Sequence, residues 1–307
     1  MLICLAALFL IPLPFTETRN SFFSLENQQN LWARIGALGV FAIGETFVII
    51  TAGIDLSVGS VIAFSGVLAA QLVSEQGWPF WPSAGLVLAA TTAIGIIHGL
   101  LVSKIGMPAF VATLGTMLLL RSQAKIMTAN IAIPISNPAF QYFYNGRPLG
   151  IPMPLLIMGG VAALLIPLLR STALGRHLYA VGANEEATRL SGVNVSWTKT
   201  FAYATSGLLA GLAGLIFAAY NRLGDPDAGT AYELSAIAAA VIGGCSLMGG
   251  QGSVVGTMIG AAILSAILNI LFVMLTAGVT QWEGTVVGAV VILAVAFNIL
   301  RQRRGSR

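Results

Sequence analysis

Few side chains in this sequence combine a reactive chemical type with a useful spacing. The two histidines, His98 and His177, have no cysteine or carboxylate at ligand spacing, so a metal site is not expected. The two cysteines, Cys4 and Cys245, lie in apolar stretches and show neither a metal motif nor a disulfide framework. The sequence contains no phosphate-binding GxxxxGK(S/T) loop and no nucleophile–base pair. We therefore predict no catalytic residues, no metal, no cofactor and no ATP bound through a P-loop.

Polar residues inside long apolar runs are the better candidates for function. Because such residues are costly to place in lipid, they often line a polar path through a membrane protein. The segment AGIDLSVG at residues 52–59 adds a second kind of candidate, since it interrupts an apolar run with an acid between two glycines. The path or gate residues that we predict are Glu45, Asp55, Ser57, Gly59, Thr113, Thr116 and Asn269.

The two acidic residues in this set allow more than one interpretation. Glu45 could contact a solute hydroxyl, pair with Arg121 or another base inside the bundle, or be protonated and hydrogen-bonded to a neighbouring backbone group. We expect it to face the path or the bundle rather than lipid. Asp55 could serve only as a cap for the helix that starts near Leu56, or it could also move with a gate.

The stretch at residues 170–199 is the longest charged segment inside the chain, and its middle predicts a short helix. Asn184 is a good N-cap, because its side-chain oxygen can accept from free N–H groups of the first turn. Glu185 and Glu186 follow, where the helix dipole favours negative charge. Arg189 is four residues after Glu185, so we predict that the two form an ion pair.

The end of this helix and its outer face can also be predicted. Gly192 suits the left-handed position that follows a helix. Ala187 and Leu190 are three residues apart and share a face, with Ser191 beside them. About two turns of helix do not persist alone in water, so we expect the helix to be held against something. The alternative is a solvated loop with an incidental helix.

The composition indicates whether this chain folds in water or in a membrane. Its 307 residues are 57% hydrophobic and 8% charged, whereas a soluble domain carries about 25% charged residues. The apolar runs are too long for transmembrane β-strands, so we predict an all-α, polytopic helical membrane protein. Because the net charge of +4 belongs to residues that flank membrane segments, it does not indicate nucleic-acid binding.

The apolar runs predict about ten transmembrane helices. Residues 1–15 would extend only about 22 Å, which is short of the roughly 30 Å core, so they are either a short first helix or the remainder of one that starts upstream. The segment at 234–252 is short and glycine-rich, and it could span or be re-entrant. The predicted spans are 1–15, 33–51, 60–73, 84–102, 109–128, 151–169, 200–220, 234–247, 254–275 and 284–300.

Ten spans place both termini on the same side, and the distribution of charge selects the cytoplasm. With cytoplasmic ends, the inner loops contain 9 of the 15 Lys and Arg residues, the outer loops 4 and the membrane 2. The basic tail RQRRGSR adds to this bias. A faint repeat relates VIITAGIDLSVGSVIAFSG to VIGGCSLMGGQGSVVGTMIG. It indicates either two broken hairpins that flank one path or the chance similarity of glycine-rich apolar sequence.

Several of these stretches resemble one known family. GRHLYAVGANEEATRLSGVNV is similar to the cytoplasmic loop of bacterial ABC-importer permeases of the ribose/xylose/arabinose/galactose type. TAGIDLSVGS resembles the family signature TGGIDLSVGS, with Ala52 as the departure. Ala183 and Thr188 are smaller departures, at positions where Gly and Ala are expected. PAFVATLGTMLLLRS and ELSAIAAAVIGGCSLMGGQGSVVGT follow in register, so the resemblance extends from about residue 36 to 300.

This resemblance implies a single transmembrane permease domain, 1–307, in the bacterial inner membrane, with a coupling loop at 170–199. The family's loop carries the coupling helix that docks on a cytoplasmic ATPase subunit. The expected partners are that ATPase, a second permease copy or paralogue, and a periplasmic or lipid-anchored sugar-binding protein. The expected activity is import of a pentose, hexose or similar polyol by alternating access. ATP hydrolysis would belong to the partner, so this chain is not expected to be an enzyme.

Two other function classes remain as alternatives. An ion-gradient-driven secondary transporter would need coupling-ion ligands, and Glu45 is the clearest acid at membrane depth. An enzyme acting within the membrane would need a nucleophile–base pair. The sequence does not identify the sugar, because importers of this sort can leave selectivity to the binding protein. It also leaves open whether the permease dimer is homomeric or heteromeric.

Overall fold

The computed structural model describes residues 1–14, 16–274 and 279–305, and these residues form a bundle of helices. The last two residues of the basic tail, Ser306 and Arg307, lie outside the described residues. The helices in chain order are α1 Leu2–Leu8, α2 Thr16–Phe22, α3 Leu25–Ile50, α4 Val58–Ala70, α5 Phe80–Ser103, α6 Ala109–Met127, α7 Pro138–Asn145, α8 Met153–Ser171, α9 Ala173–Ala183, α10 Glu185–Leu190, α11 Val195–Asn221, α12 Tyr232–Ile242, α13 Val254–Met274 and α14 Val279–Gly305.

Helices α3 and α11 form the centre of the bundle. Each starts at a side-chain cap, with Ser24 accepting from the Asn27 N–H and Asn194 from the Trp197 N–H. Their 26 and 27 residues extend about 40 Å at 1.5 Å per residue, which exceeds the membrane core. Most of their residues are buried, because α11 packs on α5, α3 and α4, and α3 also packs on α8, α13 and α12.

Small residues allow the central helices to approach closely. Gly95 and Gly99 of α5 lie directly against the backbone of Tyr203 and Thr200 in α11, where an added Cβ would meet backbone atoms at 2.2 and 2.3 Å. Helices in lipid gain little from hydrophobic burial against each other, so close van der Waals packing of this kind holds them together. The outer helices α5, α6 and α8 direct large apolar side chains outward, including Ile97, Leu118 and Leu164.

Within the described residues, six helices are long and apolar enough to cross a membrane. They are Leu25–Ile50, Val58–Glu75, Phe80–Ser103, Met153–Ser171, Val195–Asn221 and Val254–Met274. The second of these continues α4 through a π-helical turn at Gln71–Glu75. Helices α6, α12 and α14 coincide with further predicted spans but fall outside this set, and the described part of the first predicted span, residues 1–14, contains the short α1. The count of ten therefore stays a prediction.

The two ends of the bundle carry different structures. α10 lies at the end where α11 begins, and the loop after α11 lies at the opposite end. At that opposite end, β1 Ile133–Pro134 pairs antiparallel with β2 Leu223–Gly224. Arg121 of α6 donates to the carbonyls of Pro226 and Ala228 at 2.8 and 2.6 Å. Arg121 thus fixes the loop that follows α11.

Candidate functional site

The short helix α10 has the local geometry that its sequence predicts. The Asn184 side chain accepts from the Ala187 N–H at 2.9 Å, which satisfies one of the free donors of the first turn. Gly192 follows the helix with a φ of 82°, in the left-handed region. Thr188 is buried on the side of α10 that faces the rest of the bundle. Caps and a buried contact together explain why so short a helix forms.

The predicted ion pair between Glu185 and Arg189 is wrong. Arg189 pairs instead with Glu186, three residues before it, and Glu185 pairs with Lys199 at 2.5 Å. The reason is tertiary, because α11 begins shortly after the end of the helix and brings Lys199 back over its first turn. Such partly exposed pairs contribute little stability. The Lys199 pair matters as a geometric link between α10 and α11.

The opposite face of α10 is exposed. Leu190 is 80% exposed, and Ala187 lies on the same side of the helix. The Ser191 hydroxyl donates to the Ala187 carbonyl at 2.9 Å, so its side chain folds back on the helix. The outward face of α10 thus presents Leu190 and Ala187, and no other described residue buries it.

The bundle has two interruptions, which we call the first break, residues 51–57 between α3 and α4, and the second break, residues 243–253 between α12 and α13. Helix α9, which precedes α10, contacts the end of α3 and the second break. A Cβ on Gly182 would lie 1.8 Å from the Ile50 carbonyl and 2.6 Å from the Gly250 nitrogen. The Tyr179 hydroxyl donates to the Gly252 carbonyl at 2.8 Å, and burial raises the pKa of Tyr179, so it remains a donor at neutral pH.

The two breaks also contact each other, since an added Cβ on Gly249 would lie 2.7 Å from the Ala52 Cβ. The Gly250 N–H donates to the Ile50 carbonyl at 2.9 Å, which satisfies a group at the end of α3. One helical turn before that end, the Thr46 and Thr257 hydroxyls are 2.6 Å apart. The segments that the faint repeat relates are therefore neighbours in space, each joining two helices through a non-helical stretch.

The first break is organised around Asp55, which is 2% exposed. One carboxylate oxygen accepts from the Ser57 N–H and hydroxyl at 2.9 and 2.6 Å. The other accepts from the Ser206 hydroxyl of α11 at 2.8 Å. The expectation that Asp55 caps this helix is wrong, because α4 begins at Val58 with Ser57 as its N-cap and no side-chain cap hydrogen bond. Asp55 instead supports the segment just before α4 and ties it to the central helix α11.

Glu45 is fully buried and faces the interior of the bundle. One of its carboxylate oxygens accepts from the Asp55 N–H at 3.2 Å, and the other has no hydrogen-bond partner among the described residues. Arg121 is engaged elsewhere, so the pairing of Glu45 with Arg121 does not occur. Glu45 thus has a hydrogen bond to a neighbouring backbone group, and its contact with a solute stays a prediction.

Of the remaining path candidates, some lie at the first break and others lie away from it. The Thr113 hydroxyl of α6 accepts from the Leu56 N–H at 3.1 Å, so it joins the first break. Gly59 lies against the Gly229 carbonyl, where an added Cβ would come within 2.2 Å. Thr116 donates only to its own helix, at Ala112. Asn269 pairs with Asn27 at 2.9–3.0 Å near the start of α3, away from Asp55.

Sequence reasoning missed the groups that α11 and α5 contribute. Ser206 contacts Asp55, and the Tyr203 hydroxyl lies close enough to Gly53 that an added Cβ there would be 2.5 Å from it. The His98 ring of α5 lies 6.3 Å from the Tyr203 ring. Nothing local marks Ser206 or Tyr203, because a serine or tyrosine within an apolar helix is ordinary. Their proximity to Asp55 depends on how the helices pack.

Comparisons with known proteins identify a family of transport proteins. Residues 28–295 match the family of branched-chain amino acid transport system permease components. The chain is 45% identical over 294 residues to the ribose import permease protein of Escherichia coli (strain K12), covering 94% of this chain and 90% of the relative. It is 39% identical over 261 residues to the fructose import permease protein of Bifidobacterium longum (strain NCC 2705), covering 83% and 72%.

A further relative names the transporter class. The chain is 36% identical over 310 residues to a probable ABC transporter permease protein of Escherichia coli (strain K12), covering 100% of this chain and 91% of the relative. No solved structure matches the chain. The chain belongs to this family of membrane permeases. It is the membrane permease subunit of an ABC importer in the bacterial inner membrane, as its resemblance to that class implied.

Proposed function

We propose that this permease carries a monosaccharide, a pentose, hexose or similar polyol, into the cell by alternating access. The observation that carries this proposal is the 45% identity, over 94% of the chain, to a protein named for ribose import. The relative named for fructose import supports the same class of substrate. These relatives do not favour the ion-gradient alternative, because both are named as import permeases and a third as an ABC transporter permease.

The exposed face of α10 is the proposed docking site for a cytoplasmic ATPase subunit. The capped helix, its outward Leu190 and Ala187, and its attachment to α11 through Lys199 support this role. The proposed contact set comprises Asn184, Glu185, Glu186, Ala187, Arg189, Leu190, Ser191 and Gly192. ATP would be bound and hydrolysed by that subunit, and this chain would transmit the resulting movement.

The first break is the proposed gate. Asp55 and Ser57 would hold it through Ser206, and Glu45 and Thr113 would line its inner side. In the proposed topology about ten helices cross the membrane, both termini are cytoplasmic, and the loops opposite α10 face the periplasm. Two permeases, identical or paralogous, would form the path between them, and a sugar-binding protein would deliver the substrate to the outer loops.

Ala187→Glu tests the docking role of α10. A charged side chain at the centre of a contact should abolish both co-purification of the ATPase and sugar uptake, while the permease still reaches the membrane. The matched control is Ala139→Glu on α7, an exposed alanine of a helix at the opposite end of the bundle. The control should retain the bound ATPase. If Ala187→Glu keeps both the ATPase and wild-type uptake, the loop is only a linker.

A further inference from the structure

The end of the bundle opposite α10 contains a cavity of about 140 Å³. It lies between α3, α7, α11, α12, α13 and the start of α14, with Phe41, Tyr144, Phe217 and Tyr232 among its lining residues. A single buried water needs only about 10–15 Å³ by the same measure, so this space can hold a ring-sized solute. None of the residues predicted from the sequence as path or gate lines it.

Aromatic rings form the walls of the cavity. Phe41 and Tyr232 are stacked, with ring centroids 5.9 Å apart and planes 5° from parallel. Phe217 contacts Tyr232 at 4.9 Å, and Tyr144 contacts Tyr220 at 4.6 Å. Burial raises the pKa of Tyr144 to about 12, so its hydroxyl stays protonated and can donate a hydrogen bond at physiological pH.

Charged groups of both signs also line the cavity. Arg34 of α3 and Glu283 of α14 are both exposed, and within the described side chains neither forms an ion pair or a hydrogen bond. Arg34 lies over the Phe272 ring at 5.8 Å, which orients its guanidinium. Ser235 and Ser265 add hydroxyls to the lining.

This combination fits one class of solute closely. The C–H faces of a sugar ring can pack on aromatic rings, and its hydroxyls both donate and accept, so they use a carboxylate and a guanidinium together. An apolar solute would leave Arg34 and Glu283 without partners. An aliphatic zwitterionic amino acid could pair with both charges, but it offers no flat face to the stacked rings. The cavity size admits one ring.

The cavity also lies directly before the proposed gate. Phe41 and Glu45 are four residues apart on α3, so they share a face and are separated by about 6 Å along the helix. Tyr232 lines the cavity, and the next residue, Glu233, has a carboxylate oxygen against Gly59. A solute in the cavity would therefore be one helical turn from the first break.

We infer that this aromatic cavity is a monosaccharide-binding station on the outer side of the path, with Phe217 and Tyr232 stacking on the sugar ring and Arg34 and Glu283 binding its hydroxyls. The inference rests on the proposed function. It assigns substrate contacts to the permease itself, in addition to whatever selectivity the binding protein supplies.

The test compares two cavity variants with two matched controls in cells that also contain the ATPase and the binding protein. Phe217→Leu removes a stacking surface, and Glu283→Gln removes the charge with little change of shape. Their controls are Phe143→Leu, a half-buried phenylalanine, and Glu75→Gln, an exposed carboxylate, neither of which lines the cavity. Uptake of radiolabelled D-ribose and D-fructose is measured against concentration, together with membrane abundance and ATPase co-purification.

We expect each cavity variant to lower the maximal uptake rate about tenfold. A change of this size corresponds to the loss of one contact between the sugar and a charged or stacked side chain. The half-saturating concentration, abundance and bound ATPase should not change, and the controls should stay within about twofold of wild type. Wild-type uptake by both cavity variants overturns the cavity inference and leaves the proposed function intact. If the wild-type protein imports L-leucine and neither sugar, the proposed function itself fails.

Discussion

Side-chain hydrogen bonds stabilise the first break (residues 51–57), whereas backbone conformation and backbone hydrogen bonds mainly stabilise the second break (residues 243–253). In the first, Asp55 accepts three hydrogen bonds and connects the segment to α11. In the second, Gly244, Gly249 and Gly250 adopt φ values of 92°, 84° and 70°, and Gly250 donates to the end of α3. Two segments with similar sequence patterns thus keep non-helical shapes by different physical means.

This difference suggests different roles for the two breaks. Side-chain hydrogen bonds can exchange partners when a helix moves, so the first break suits a gate that must rearrange. The second break needs glycine for its left-handed turns, and its backbone packs so closely on Gly182 and Ala52 that a side chain would not fit at Gly249. The second break suits a fixed surface against which α9 and the first break move.

The largest effect is expected from Asp55→Ala. The substitution leaves the Ser57 N–H, the Ser57 hydroxyl and the Ser206 hydroxyl without their buried acceptor, at a cost of roughly 3–9 kcal/mol for three unpaired groups. Transport normalised to membrane abundance should be nearly lost. Asp55→Asn keeps one oxygen acceptor, so its loss of transport should be smaller. Adding Ser206→Ala to Asp55→Asn should lower transport little further. Equal uptake by Asp55→Ala and wild type would remove the first break from the mechanism.

An intermediate effect is expected from Gly249→Ala in the second break. A left-handed alanine costs about 1–2 kcal/mol, and the new Cβ would in addition lie 2.7 Å from the Gly182 carbonyl and from the Ala52 Cβ. Gly106→Ala is the matched control, because Gly106 has a φ of 77° but nothing within 4 Å of the added Cβ. Thermal denaturation of the purified permease should show a clearly larger loss for Gly249→Ala. Similar losses of thermal stability for both variants would mean that packing of the second break contributes nothing to the stability of the fold.

Ala52→Gly in the first break is expected to have the smallest effect. Unlike the other two variants, it should raise the stability of the fold. Ala52 has a φ of 60°, in the region where a Cβ is strained. Relief of about 1–2 kcal/mol of strain is partly offset by the greater unfolded-state entropy of glycine, so a gain of roughly 0.5–1 kcal/mol remains. Ala129→Gly, at a φ of 48°, should act in the same direction. A lower midpoint of thermal denaturation for Ala52→Gly would show that its methyl contact with the second break outweighs the strain.

Local features could be predicted from the sequence because their causes are local. The Asn184 cap, the left-handed Gly192 and the main bounds of the long helices each depend on a few neighbouring residues and on apolar run length. The family could be recognised for a similar reason, since the motifs that carry it are short continuous stretches. The membrane environment follows from composition alone.

Contacts between distant residues depended on the tertiary structure. Asp55 and Ser206 are 151 residues apart, and Thr46 and Thr257 are 211 apart, so no spacing rule connects them. The ion pairs of α10 were predicted incorrectly for this reason, because Lys199 reaches Glu185 only once α11 packs behind the loop. The aromatic cavity likewise joins α3, α11, α12 and α14. Sequence by itself determined the membrane environment, the long apolar helices and the cap of α10, because these depend on composition and on interactions within a turn or two of chain. Which polar groups meet was decided by how glycine-lined helices pack.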